Sequence, residues 1–433
     1  MKNIRYTLRL ISTFFSKFKA LIILGILGGV AMSFAINLVI PALGNKSTIR
    51  IGLTGRFTAT TLPSEILNLI GNGLTQIDEK GDVIPNLADS WQSPDKGKTW
   101  LFHLREGVNW QDGKPVTAND INYQFSDLSV EKPDQNTLVY KLEHPYSAFP
   151  SVVSKPVFKK GLLGTGEWRV KKISLAGDYV TSLTIINNQK EKQIYKFYPT
   201  EERTKLAFKL GGVDKISQIH NPKPLDSWKK IKISKDVSMG EYVALFFNTQ
   251  DPSLSDKTIR QALAYGIDKD ILGELRAISP ISIDSWAYNP QVKPYNFDQQ
   301  RATKDIKEGL TINLSTSAIL LPIAEKIAKN WEGIGVKTNV EVFSTIPNNY
   351  QALLVIFDIP EDPDQYPVWH STQTNSNISK YSNPRIDKLL EDGRTELNLE
   401  ERKKIYLDFQ RFLVEDSPAV FLYYPTTYTI SRK

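Results

Sequence analysis

Several stretches of the chain alternate apolar and polar residues with a period of two, and each predicts a strand with one buried face. The clearest is Trp100, Phe102 and Leu104 set against Leu101, His103 and Arg105, with turn signals Lys96-Gly97 before it and Asp112-Gly113 after it. Thr117 then stands three residues before Asp120, a capping-box spacing that predicts a short helix carrying Ile121 and Phe125. Further strands are expected at 48–53, 137–142, 179–187, 194–198, 311–315 and through Val336, Val340 and Val342. Two unbroken apolar runs, 243–248 and 352–357, fit strands buried on both faces.

The helical period governs other segments. Ser255 is placed to cap a helix with Ile259, Ala262, Leu263 and Ile267 on one face. Residues 319–331 carry Ile323, Ile327 and Trp331 at helical spacing. Asn383-Pro384 opens a helix, and Asn398 with Glu401 opens a longer one carrying Ile405, Phe409, Phe412 and Leu413. Strands and helices alternate through the second half, so an α/β architecture is expected.

Charge is distributed unevenly. Lys2, Arg5, Arg9, Lys17 and Lys19 supply five of the seven net positive charges, so the remainder is close to neutral and lacks the basic stripe of a nucleic-acid-binding domain. Residues 20–43 then run 24 positions without a charge. That is the length of a bilayer-spanning helix with positive-inside flanks. It reads as a retained anchor with everything after Gly44 outside the cytoplasm; a cleaved signal peptide with Ser33-Phe34-Ala35 at its cut is the other reading. The absence of cysteine removes disulfides, thiolate chemistry and a lipid-modified cysteine, so any tether is a peptide segment.

The order of residues in 85–125 is more specific than its physics. Pro-x-Leu-Ala-x-Ser-Trp, Gly-Lys-Thr, and Leu-Arg-x-Gly-Val-x-Trp-x-Asp-Gly-x-Pro-Val-Thr-Ala-x-Asp resemble the signature of the family 5 extracellular solute-binding proteins, the peptide and nickel receptors of ABC importers. Gly164-Thr165-Gly166-Glu167-Trp168 resembles the family's turn, read here as a backbone needing positive φ. Residues 246–270 resemble its entry into the last lobe, and the likeness spans about 48–430.

The resemblance implies a periplasmic-binding-protein-like type II fold behind the transmembrane helix. Two main lobes would share a hinge of two strand crossings, with a small inserted lobe. Residues 1–19 would form a cytoplasmic basic segment. Residues 46–250 would form the first lobe, with the insertion at about 75–160. Residues 251–415 would form the second lobe and 416–433 the return. The first crossing is expected at 245–250 and the second in the strand 420–424. The short insertion departs from the larger peptide receptors.

The richest polar tract is 358–373, which follows a buried strand, where open α/β sheets tend to bind ligands. In the family an aspartate in this tract holds the ligand's amino terminus. Asp358 is the best match, and Asp362, one residue out of register, is its rival; Trp369 lies behind them. Trp286 and Tyr288 fall where the family lines its cleft, and can equally cap a core. No twelve-residue calcium loop is present, and the four histidines are scattered, which disfavours nickel alone. No Gly-x-Ser-x-Gly, His-Glu-x-x-His or P-loop occurs, so neither enzyme chemistry, cofactor nor metal is expected. The expected function is peptide capture, as a membrane-tethered monomer, for an ABC permease and its ATPase. The alternative is the same fold used as a sensor or interaction module without transport.

Overall fold

The computed structural model describes residues 17–19, 29, 48–78, 80–125 and 127–433. The anchor expected at 20–43 lies, apart from Gly29, outside the described residues. Among those described, no helix is long and apolar enough to cross a membrane.

The largest core surrounds the strand Glu241–Phe247, in which Tyr242 to Phe247 are all fully buried. It is the third strand of a six-stranded sheet ordered Leu275–Arg276, Ala419–Tyr424, Glu241–Phe247, Ala352–Asp358, Thr311–Ser317, Lys337–Phe343. Neighbours on both edges and helices over the faces explain why this run needs no alternation. Phe246 stacks on Trp369 with ring centroids 5.8 Å apart and tilts against Phe357 at 5.5 Å.

The helices of this lobe begin where cap chemistry allows. Asn383 accepts from the Arg385 amide, and Asn398 from the amides of Glu400 and Glu401. The helix Lys257–Tyr265 is capped by Asp256, one residue beyond the expected Ser255. The Ser255 hydroxyl instead donates back to the Pro252 carbonyl, and the Asp256 carboxylate takes the Thr258 amide.

The first lobe is a seven-stranded sheet ordered Ile231–Val237, Thr426–Arg432, Lys215–Ile219, Thr48–Thr54, Lys192–Tyr198, Tyr179–Ile186, Arg169–Ala176. Inserted into it is a four-stranded sheet containing Thr99–Leu104, whose alternate residues Trp100, Phe102 and Leu104 enter a separate core running from Leu74 to Val157. The helix expected after Thr117 is a single 3-10 turn, Ala118–Asp120. The capping box forms, but Asp120 is also held by Lys159 at 3.0 Å and by the Trp110 indole at 3.4 Å. Ile121 and Phe125 pack into the core from an irregular segment.

Gly164 and Gly166 do not adopt positive φ, contrary to expectation; they are glycines because of close approach. A Cβ at Gly164 would lie 2.1 Å from the Ile70 carbonyl oxygen.

The lobe crossings also sit elsewhere than expected. Glu241–Phe247 belongs wholly to the second sheet, so the first crossing is 238–240. Ala419–Tyr424 likewise stays in the second sheet, and the chain returns at Pro425. Sheet partnership sets these positions, and an apolar run does not reveal which sheet it will join.

Replacing Phe246 by alanine removes the ring between Trp369 and Phe357, and is expected to cost about 3–5 kcal/mol in denaturant unfolding. A cost below about 1 kcal/mol would show that this strand does not organise the core.

Candidate ligand-binding cleft

The two lobes face each other across a cleft whose floor is the crossing itself. Tyr423, Val243 and Ile356 form one row across three neighbouring strands, and all three line a cavity of about 680 Å³. Two residues further along the same strands, Glu241 is paired directly with Asp358. Residues two apart on a strand point to the same face, so these carboxylates share the cavity's side of the sheet. The first lobe closes over this row with Glu201, His220, Asn221 and Tyr428, and the second adds a wall at 318–323.

Glu201 is committed to the first lobe. Its carboxylate accepts the amides of His220 and Asn221 and pairs with His220 Nδ1 at 2.9 Å. This contact holds the His220 pKa above its usual value, against the opposing effect of burial. Burial works to raise Glu201, but the His220 contacts outweigh it and leave the carboxyl below its ordinary value. Glu241 is pushed up, first by burial and then by the Asp358 charge. Lys235 of the first lobe meets Glu274 of the second in an ion pair that bridges the cleft.

A second cavity, about 340 Å³, lies at the first crossing. Met239 and Gly240 line it together with Asp78 from the insertion and Asp284, Glu361 and Gln365 from the second lobe. Gln365 is fully buried, yet neither atom of its amide has a hydrogen-bond partner among the described residues.

The polar tract divides by position. Asp358 is exposed at the strand end, between Ile356 of the first cavity and Ile359 of the second. Asp362 turns away and is gripped by Arg402 through two bonds of 2.9 and 2.5 Å, and its Oδ1 also takes the Asp364 amide. Burial alone would lower Arg402; Asp362 and Tyr406 hold it above its ordinary value instead. Asp364 is buried against Arg394 at 3.2 Å, with burial raising its pKa against that charge. The Arg394 guanidinium also lies over Tyr146 of the insertion at 4.7 Å, and its carbonyl accepts the Ser147 amide at 2.8 Å. The insertion is thereby fastened to the second lobe.

The aromatic candidates are mainly packing groups. Trp369 is buried against Phe246. Trp286 is half-buried over Arg402 at 5.6 Å and edge-on to Tyr406. Tyr288 is half-buried, and none of these three lines either cavity. Of the five predicted site residues, only Asp358 presents a polar group toward the cleft row.

A profile of the bacterial extracellular solute-binding proteins, family 5, matches residues 82–377, more than half of the chain. The chain belongs to this family. The oligopeptide-binding protein AppA of Bacillus subtilis is 22% identical to this family 5 chain over 90% of its length and 87% of the relative. The periplasmic oligopeptide-binding protein OppA of Escherichia coli is 23% identical over 83% and 82%. Among solved structures, NikZ from Campylobacter jejuni in complex with Ni(L-His) aligns with TM-score 0.73 at 23% identity, covering 90% of this chain and 94% of that one. AppA from Bacillus subtilis in complex with a nonapeptide aligns with TM-score 0.70 at 20% identity, covering 90% and 95%. These likenesses agree on the fold.

Glu241, Glu201, His220 and Gln365 escaped the sequence reading. Glu241 is the polar start of an apolar run, a signal that marks a strand end but not its facing partner. Nothing in the spacing relates it to Asp358.

The His220–Glu201 pair predicts a pH dependence. His220 has a raised folded pKa, so its contribution is complete below about 6.5 and fades as pH rises through the folded value. Glu201 has a lowered one, so its contribution is present above about 4.5 and is lost as pH falls through the folded value. An NMR titration should place His220 above 6.5, and Glu201→Gln should bring it down. An unchanged His220 titration in that variant would contradict the pairing.

Proposed function

We propose that this chain is an extracytoplasmic receptor that captures peptides in the interlobe cleft and presents them to the permease of an ABC importer, whose ATPase supplies the energy. Membership of the solute-binding family supports capture without chemistry on the solute. The names of AppA and OppA support a peptide as cargo. A similar protein from Helicobacter pylori, the ABC transporter-associated periplasmic binding protein DppA, solved in complex with the peptide STSA, supports the transporter link. Five basic residues ahead of an uncharged 20–43 support a peptide tether with the folded part outside the cytoplasm. In this reading the receptor works as a monomer.

One observation carries the reading. The Tyr423–Val243–Ile356 row ends in Glu241 and Asp358, so an apolar floor runs into a carboxylate pair at the lobe crossing. A peptide laid along the row would put its amino terminus at Asp358, with main-chain groups against the strand ends. Asp362, Trp369, Trp286 and Tyr288 act behind it: Asp362 through Arg402, and the aromatics by packing. The fold closes by hinge motion at the crossings, trapping the solute.

Calorimetry with the full chain and a mixed tripeptide pool tests this. Asp358→Asn is expected to weaken binding by about 10-fold or more with an unchanged melting temperature, the worth of one charge-assisted contact. Asp362→Asn leaves Arg402 buried without its partner, and is expected to cost about 3–5 kcal/mol of stability. Full affinity in Asp358→Asn would remove Asp358 from the site, and no heat from any peptide would remove peptides as cargo.

A further inference from the structure

The unpaired charge along the cleft is one-sided. Glu202 and Glu274 line the first cavity, and Glu241 and Asp358 stand at its end. Asp78, Asp284 and Glu361 line the second. Among the described residues no lysine or arginine lines either cavity, and the one histidine there, His220, is already held by Glu201. The acids lining the first cavity are each matched, Glu274 by Lys235, Glu202 by Lys205 at 3.8 Å and Glu201 by His220, and Asp364 and Asp362 by Arg394 and Arg402; Asp358, Asp284 and Glu361 have no basic partner among the described residues.

Like charges directly opposite on neighbouring strands destabilise a sheet. Glu241 and Asp358 are such a pair, on a chain whose overall charge is positive. Burial and the Asp358 charge both oppose ionisation of Glu241, with the His220 charge acting the other way, and an incoming cation seated between the two carboxylates would offset their repulsion. At the second cavity Asp284 and Glu361 both come from the second lobe, and Asp78 joins them from the insertion.

A second, independent feature points to a ligand there. Gln365 is fully buried beside the cavity with its carbonyl and its amino group both unpaired. Leaving such groups unmatched is costly, and one amide can accept from an ammonium group while donating to a peptide carbonyl.

We infer that the solute is a basic peptide, with an ammonium or guanidinium group seated between Asp284 and Glu361 in the second cavity and its amine at the Glu241–Asp358 pair. The inference deepens the reading of this cleft as the solute site and rests on it. Its corollary is that the peptide's carboxylate finds no lysine or arginine among the described residues of either cavity, only a histidine already held by Glu201, and extends out of the cleft.

The full chain is titrated calorimetrically with tri-lysine, tri-alanine and spermidine. Tri-lysine is expected to bind at least about 10-fold more tightly than tri-alanine. The double variant Asp284→Asn/Glu361→Gln should lose that margin while keeping its melting temperature and its affinity for tri-alanine. Persistence of the margin in the double variant overturns the placement in this cavity. Equal affinity for tri-alanine and tri-lysine overturns the charge preference and leaves the peptide reading intact. Binding of spermidine alone keeps the preference for cations and overturns the peptide reading. No binding of any of the three overturns both.

Discussion

A two-stranded ribbon runs through both lobes, and the rest of the molecule hangs on it. Ile231–Val237 pairs with Thr426–Arg432 in the first sheet, and their continuations Glu241–Phe247 and Ala419–Tyr424 pair in the second. Between them the Ser238 amide donates to the Pro425 carbonyl at 2.9 Å, so the two crossings are themselves bonded. Proline offers no amide to continue the ladder, and Gly240 has open space where a Cβ would stand. This is the stretch of the ribbon that belongs to neither sheet, and the cleft's floor begins beside it.

This constraint separates two kinds of acid. Asp362 and Asp364, turned into the second lobe, are matched by Arg402 and Arg394, because a buried carboxylate without a partner costs several kcal/mol. Asp358, Asp284 and Glu361 are exposed, so water solvates them and they tolerate isolation. Arg394 also couples the sets: it holds Asp364 while its guanidinium and carbonyl receive Tyr146 and Ser147 of the insertion.

Local pattern made most strands legible. Trp100, Phe102 and Leu104 announced their own strand and face, and the Asn383 and Asn398 caps announced theirs. The family signature pointed to the two-lobed architecture. Three things were not local. The crossing lies before the apolar run because sheet membership is decided by distant partners. Gly164 is dictated by the Ile70 carbonyl, far away in sequence. Asp358 and Asp362 look alike as letters, but only one of them faces an arginine on the final helix. The acidic character of the cleft was half visible in the 358–364 tract, while Glu241, Asp78 and Asp284 join it only through folding.

Native mass spectrometry of the full chain as isolated, followed by gentle denaturation to release whatever it carries, tests the central claim most directly. A one-to-one complex with short peptides rich in lysine or arginine is the expected result. A chain that carries only neutral or acidic solutes, or that comes out empty and stays empty after incubation with a basic peptide pool, would contradict the assignment of the cleft.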